Sequence, residues 1–376
     1  MEKTKRQSNF ELLRIFAIVL IVLFHIQKKG PQRLLTGDYG YFAQPFIYPR
    51  LLILEFGVIL GMIGNGVFLL ISGYFMNAAA DINIGKIAKK LLLQLGFAVL
   101  VLVIANSVWI AFFKNDALTL GMVTKRDFNG NWWFVGYYFL VILAAKLFLN
   151  RFTAKLTRNQ FKSLLLTVLA VSQFSWTGTM LGSLASGLRD LAIGVFFFLM
   201  GGYIARFNPF KNLKSFTFIL TIAAAYGIRF LSQYNIVSES IDEFVESKST
   251  GNFVQSVQDY LNYYIPVVII AVCLFELFRR LNIPYNAVIN FIGKSTLMIY
   301  FIHENSFFQM FYRDDSWMET LQSSCLLYCL KWFKWAAIAF AVGLAAYAAY
   351  ALLGKLLPRM RSLVFTQSSS ERSAAE

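Results

Sequence analysis

The stretch that decides the fold is Asn9–Gln27, NFELLRIFAIVLIVLFHIQ. It is apolar over nearly its whole length and follows a basic start at Lys3, Lys5 and Arg6. A helix needs about 20 mostly apolar residues to cross a bilayer, and this run supplies them. No small-residue cleavage site follows, so it reads as a retained first helix and not as a removed leader. Two ionisable residues interrupt it, Arg14 and His25. Such groups are costly inside a membrane and point by default to function.

Working outward, similar runs recur at 52–76, 87–113, 132–150, 161–176, 188–205, 216–233, 262–278, 287–310 and 332–356. The chain is 57% hydrophobic and 17% aromatic, with 15% charged residues. A soluble domain of this size carries roughly 25% charge. The runs are continuous rather than alternating, which excludes a β-barrel. The expected fold is therefore an all-α, polytopic integral membrane bundle of about ten transmembrane helices. Trp109, Trp132, Trp176, Tyr263 and Trp332 fall at run ends, as in an interfacial aromatic belt.

The net charge of +15 does not point to nucleic acid. Its Lys and Arg sit in short clusters between apolar runs, where they set orientation. With the N-terminus inside, the inner segments hold roughly twice as many as the outer ones. Both termini are expected to be cytoplasmic, in a multi-pass cell-membrane protein. An acidic outer loop at 234–260 agrees. Residues 1–364 read as one integral membrane domain and 365–376 as a disordered cytoplasmic tail. Cys273, Cys325 and Cys329 show no metal spacing, and two histidines exclude a His-rich metal site. No internal repeat of the transporter kind is visible. Nothing sets an oligomeric state.

Arg14 and His25 are eleven residues apart. On a helix this is about 20° from three full turns, so both project from nearly one face, separated by roughly 16 Å along the axis. A permanent cation suits an anionic donor, and an imidazole suits general-base work on a hydroxyl. Periodicity alone leaves a plainer reading open. Arg14 is near enough to the helix start to snorkel, Glu11 three residues earlier could pair with it, and His25 could be an interfacial polar residue.

Several motifs resemble the membrane-bound acyltransferase family 3. Asn9-Phe-Glu-Leu-Leu-Arg14 running on to Leu23-Phe-His25 resembles the family's Arg-ten residues-His signature in its first helix. Gly66-Val-Phe-Leu-Leu-Ile-Ser72-Gly73-Tyr-Phe-Met76 is similar to its Phe-Phe-x-x-Ser-Gly-Phe stretch, and a basic amphipathic segment, Ile84 to Leu93, follows. Trp132-Trp133-Phe134 and Ile292-Gly-Lys-Ser-Thr-Leu-Met-Ile-Tyr-Phe-Ile-His303 match in order, and Phe196 to Arg206 matches more weakly. One departure is Glu11-Leu12 where many members have Asp-Gly; the carboxylate is kept.

The resemblance implies an acyl-CoA-dependent O-acyltransferase with Arg14 and His25 as the essential pair. Acetyl-CoA would be the donor substrate, with no other cofactor and no metal. Its phosphates would lie near Arg14, Lys86, Lys89 and Lys90, and a surface glycan, capsule or exopolysaccharide, would accept the acetyl group. Glu11, Ser72, Trp132, Trp133, Arg189 and His303 are further candidates for substrate contact. Each has a structural alternative: Arg189 could pair with Asp190, the tryptophans could be belt residues, and His303 could be a structural hydrogen-bonding group. Gly57, Gly61, Gly64 and Gly66 read first as helix packing. Arg229 is unassigned, and Tyr39, Tyr41, Phe42 and Tyr48 in the first outer loop would suit a sugar. The main alternative is a transporter or flippase of a glycan precursor or small acid. A non-catalytic partner of a polysaccharide synthase is a third reading.

Overall fold

The computed structural model describes residues 6–31, 48–77, 79, 82–113, 130–173, 183–247 and 265–373. Tyr39, Tyr41, Phe42, Trp176 and Tyr263 lie outside the described residues. The described residues contain helices and connections and no strand. In chain order the helices are α1 (Ser8–Lys29), α2 (Tyr48–Gly57), α3 (Leu60–Met76), α4 (Ile84–Phe113), α5 (Trp133–Ala144) and α6 (Asn150–Ala154). After them come α7 (Arg158–Gln173), α8 (Ser183–Phe207), α9 (Ser215–Ser247), α10 (Ile265–Arg279), α11 (Ala287–His303), α12 (Ser306–Arg313), α13 (Trp317–Ser323) and α14 (Cys325–Ser373). A π-helical turn, Ala145–Leu149, joins α5 to α6.

Six helical stretches are long and apolar enough to span a membrane: Ser8–Lys29, Ile84–Phe113, Trp133–Ala154, Gly187–Phe207, Ser215–Ser232 and Cys325–Leu356. Leu60–Met76 and Ala287–His303 are shorter apolar helices. This is the all-α membrane bundle expected from the apolar runs.

The structure redraws several boundaries. The second apolar run is two helices, broken at Val58 and Ile59. At the break the Gln27 amide donates to the Leu54 carbonyl, and a side chain at Gly57 would strike Gln27. The ninth run, expected as 287–310, stops at His303, because the Asn305 side chain accepts the Phe307 N–H (2.8 Å) and starts a new helix. The acidic stretch expected as loop lies on α9 as far as Ser247; no Gly or Pro between Tyr234 and Ser247 stops the helix.

α1 is the central helix. Leu13, Ala17, Ile18, Ile21, Val22 and Ile26 are fully buried, and it packs against α3, α10, α11 and α14. α3 crosses α8 at very close range. A side chain added at Gly73 would land on the Phe198 carbonyl, and one at Gly201 on the Leu70 carbonyl, so these two glycines set the approach. At the end of the bundle where α1 begins, Glu276 is fully buried and holds Arg279 (2.9 Å) and Arg280 (3.3 Å). Arg279 reaches Asn208 beyond α8 (2.8 Å), and Asn9 donates to the Phe278 and Arg279 carbonyls (3.2 Å each). These bonds fix the start of α1, and with it the height of Arg14.

Candidate active site

α1 carries the site along one stripe. Arg14, Ile18 and Ile21 all line a cavity of about 220 Å³, and His25 follows one turn after Ile21, about 6 Å further along the axis. Face sharing by Arg14 and His25 is thus built into the packing of α1.

At the near end, four cations line the cavity: Arg6 from just before α1, Arg14 from α1, Lys90 from α4 and Lys294 from α11. Glu11 is buried (3% exposed) and accepts from both Arg6 and Arg14 at 2.7 Å. A carboxylate that accepts from two guanidiniums fixes both side chains beside the cavity. Glu11 also sits tight against Gly293, where a side chain would strike its carboxylate. Its role is therefore to position the arginines from behind.

The walls are apolar and aromatic: Phe68, Phe134, Leu297 and Tyr300, with Ser72 and Tyr138 as a polar pair. The Ser72 hydroxyl donates to the Phe68 carbonyl (2.9 Å) and lies 3.0 Å from the Tyr138 hydroxyl. With its one proton committed, Ser72 accepts from Tyr138, and the Tyr138 oxygen keeps lone pairs for a ligand donor.

Beyond Tyr300 is a buried polar cluster. His25 Nδ1 stands 2.9 Å from His303 Nε2 and 3.1 Å from Glu304 Oε2. His303 Nδ1 lies 2.7 Å from the Ile299 carbonyl. His25, His303 and Glu304 are 7%, 1% and 4% exposed. Lys29 Nζ is 3.8 Å from Glu304 Oε1 and 3.4 Å from the Asn131 side chain, and Tyr300 donates to the Asn131 carbonyl (2.9 Å). The Trp132 indole donates to the Phe301 carbonyl at 3.2 Å, fixing the last turn of α11. One ligand atom each from His25, His303 and Glu304 lies within 4.8 Å of the others, so this is also where a metal ion would find ligands among the described residues.

The residues expected from sequence divide accordingly. Arg14, Ser72 and Lys90 line the cavity, Glu11 braces it, and His25 and His303 meet directly. Trp132 is built into the cluster, whereas Trp133 is 42% exposed. Lys86, Lys89 and Lys90 are all exposed, and of the three only Lys90 lines the cavity; Lys89 is turned about 100° from it, and Lys86 shares its face but lies one turn, about 6 Å, before it. Arg189 and Arg229 do not line it either. Arg6, Tyr138, Lys294, Tyr300, Asn131 and Glu304 were not singled out. Lys294 lies inside a quoted motif, and Glu304 follows His303 directly in an apolar context, which is itself a signal for function.

No curated protein and no solved structure matches the chain. The family model for the acyltransferase 3 group, described as an acyltransferase domain, matches residues 7–354. That match takes in the His25 cluster and, but for Arg6, the cation-lined cavity, and the chain belongs to this family of membrane acyltransferases.

Proposed function

We propose that the protein is an O-acetyltransferase that moves an acetyl group from cytoplasmic acetyl-CoA to a hydroxyl of a cell-surface glycan, a capsule or exopolysaccharide. The observation that carries this reading is the cavity along α1, with cations at one end and His25 one turn beyond the other. The donor is a thioester at the tip of a thin arm whose far end bears phosphates. Arg6, Arg14, Lys90 and Lys294 suit those phosphates, and the apolar walls suit the arm. Pockets that enclose a whole drug-sized ligand run from about 300 Å³ upward. At about 220 Å³ the cavity fits an arm and leaves the nucleotide outside.

The Lys and Arg distribution supports placing the Arg14 end on the cytoplasmic side. The acetyl group then arrives near His25, in the far half of the bundle. There His25 removes the proton of the acceptor hydroxyl, the oxygen attacks the thioester carbon, and the carbon–sulfur bond breaks. Export without transfer is the weaker reading, since a transporter has no need of a phosphate-sized cation cluster ending at a buried imidazole.

The test is transfer of label from acetyl-CoA to glycan by purified protein in liposomes, joined to NMR of surface glycan acetyl esters in wild-type, deletion and His25→Ala strains. Acetyl esters persisting in a well-expressed His25→Ala strain would sink the proposal.

A further inference from the structure

We infer that His303 and Glu304 are positioning residues that fix which nitrogen of His25 is the base: they hold the proton of His25 on Nδ1, so that Nε2 presents the lone pair. The inference follows from the hydrogen-bond partners of a neutral His303. The Ile299 carbonyl, 2.7 Å from His303 Nδ1, has no proton to give. His303 Nδ1 must therefore carry one, and a neutral His303 then has an unprotonated Nε2. That nitrogen is 2.9 Å from His25 Nδ1, and only a proton on His25 Nδ1 makes the contact a hydrogen bond. Glu304 Oε2 lies 3.1 Å from the same His25 nitrogen as an ion-pair neighbour, and its charge favours a proton on that side of the ring. One relay, from the Ile299 carbonyl through the His303 ring, thus sets a single tautomer of His25, and the charge of the nearby Glu304 carboxylate favours the same one. The remaining nitrogen, Nε2, is left as acceptor.

The chemistry rests on the acyl-transfer reading above. The acceptor hydroxyl gives its proton to His25 Nε2 while its oxygen bonds to the thioester carbon. The carbon–sulfur bond breaks and the sulfur leaves with the bonding pair. The proton on Nε2 then passes to that sulfur, and His25 returns to its starting state. In between, His25 is an imidazolium whose Nδ1–H faces the Glu304 carboxylate, which stabilises the charge where it forms. Glu304 sits at the end of α11 because the helix stops there, and Asn305 begins α12 at once. The helix break therefore delivers His303 and the carboxylate of Glu304 to one ring nitrogen together.

The experiment begins without substrate. The chain has two histidines, so full-length protein labelled with nitrogen-15 only at histidine reports these two rings and nothing else. At about pH 8, where free imidazole is neutral, both Nδ1 atoms should read as protonated and both Nε2 atoms as lone-pair nitrogens. A proton on His25 Nε2 overturns the proposal. So does one equivalent of a transition metal retained by the purified protein, because a metal would take the place of the shared proton.

The activity arm uses acetyl transfer in liposomes. His303→Leu should lower kcat by about 100-fold with KM for acetyl-CoA unchanged; a wrong tautomer in a serine protease costs about 10⁴-fold. His303→Gln places a carboxamide oxygen where Nε2 stands and should recover most of the rate. Glu304→Gln should lower kcat more than about tenfold at constant KM. Equal activity of the Leu and Gln variants overturns the assignment. Expected tautomers in a wild-type protein that transfers nothing would leave the hydrogen-bond chain standing and remove the donor reading instead.

Discussion

Arg14→Ala separates the donor end of the cavity from the imidazole end. Arg14 contributes one of four cations there and is 28% exposed as a side chain. Glu11 keeps Arg6 at 2.7 Å when Arg14 is removed, so the buried carboxylate is not stranded, and the cost to the fold should stay near ~1 kcal/mol. The cost to donor binding is larger. A hydrogen bond from a charged donor contributes roughly 1.5–3 kcal/mol, and each 1.4 kcal/mol is about tenfold. KM for acetyl-CoA should therefore rise about 10- to 100-fold, with a much smaller change in kcat and no change in KM for the acceptor. Arg14→Lys should recover part of this, since it restores the charge without the planar fork. Lys90→Ala should raise the donor KM in the same direction. Lys86→Ala and Lys89→Ala should leave it within about twofold, because exposed charges outside the cavity are screened. The assay is initial rate of label transfer in liposomes against acetyl-CoA concentration at fixed acceptor. A donor KM unchanged in Arg14→Ala, or raised equally by removing Lys86 and Lys89, would show that the basic segment, and not the cavity, anchors the donor.

Further outcomes follow from other parts of the molecule. Gly73→Ala puts a methyl group on the Phe198 backbone carbonyl, which cannot swing aside. It should cost about 1–3 kcal/mol or more and lower the apparent Tm in detergent by several degrees, whereas Gly96→Ala, with nothing within 4 Å, should not. Tyr138→Phe removes the hydroxyl that Ser72 accepts from, and should raise the donor KM a few-fold, the worth of one neutral hydrogen bond at about 1 kcal/mol, while an unchanged KM would deny the pair a ligand role. Partial burial works against the Asp315 charge, but Lys331 (2.9 Å) and the Trp335 indole (2.9 Å) hold its carboxyl below the usual carboxylate range. The folded state therefore binds the proton less readily than the unfolded chain. Its contribution to stability is present above the unfolded value of about 3.9 and fades as pH falls further. Apparent Tm followed down to about pH 3 should fall less steeply for Asp315→Asn than for the wild type, and parallel curves would count against that sign.

The fold and half of the site were legible for the same reason: they are periodic. Continuous apolar runs mark helices, and the eleven-residue spacing places Arg14 and His25 on one face of α1 whatever surrounds it. The rest depends on which helices meet. Arg6 precedes α1, while Lys90 and Lys294 come from α4 and α11, and no local pattern says that they share a cavity with one another and not with Lys86 or Lys89. His303 was in view, but only the α1–α11 packing brings it to His25. The stop after His303 had a local signal, since Asn305-Ser306 is a helix-start pair inside an apolar run. Read as one helix through residue 310, that run hid Glu304 at the bend. The gap at Val58 and Ile59 had only Gly57 as a local sign, and the bond that holds it comes from Gln27 on another helix.

The meeting of the two histidines has a consequence for chemical labelling. The chain has two histidines and they touch, so every imidazole of the protein is in one cluster. A reagent that modifies imidazole therefore has no other histidine to react with. Protection from it by a donor or an acceptor would report this cluster alone, a resolution that most enzymes reach only after their other histidines are removed.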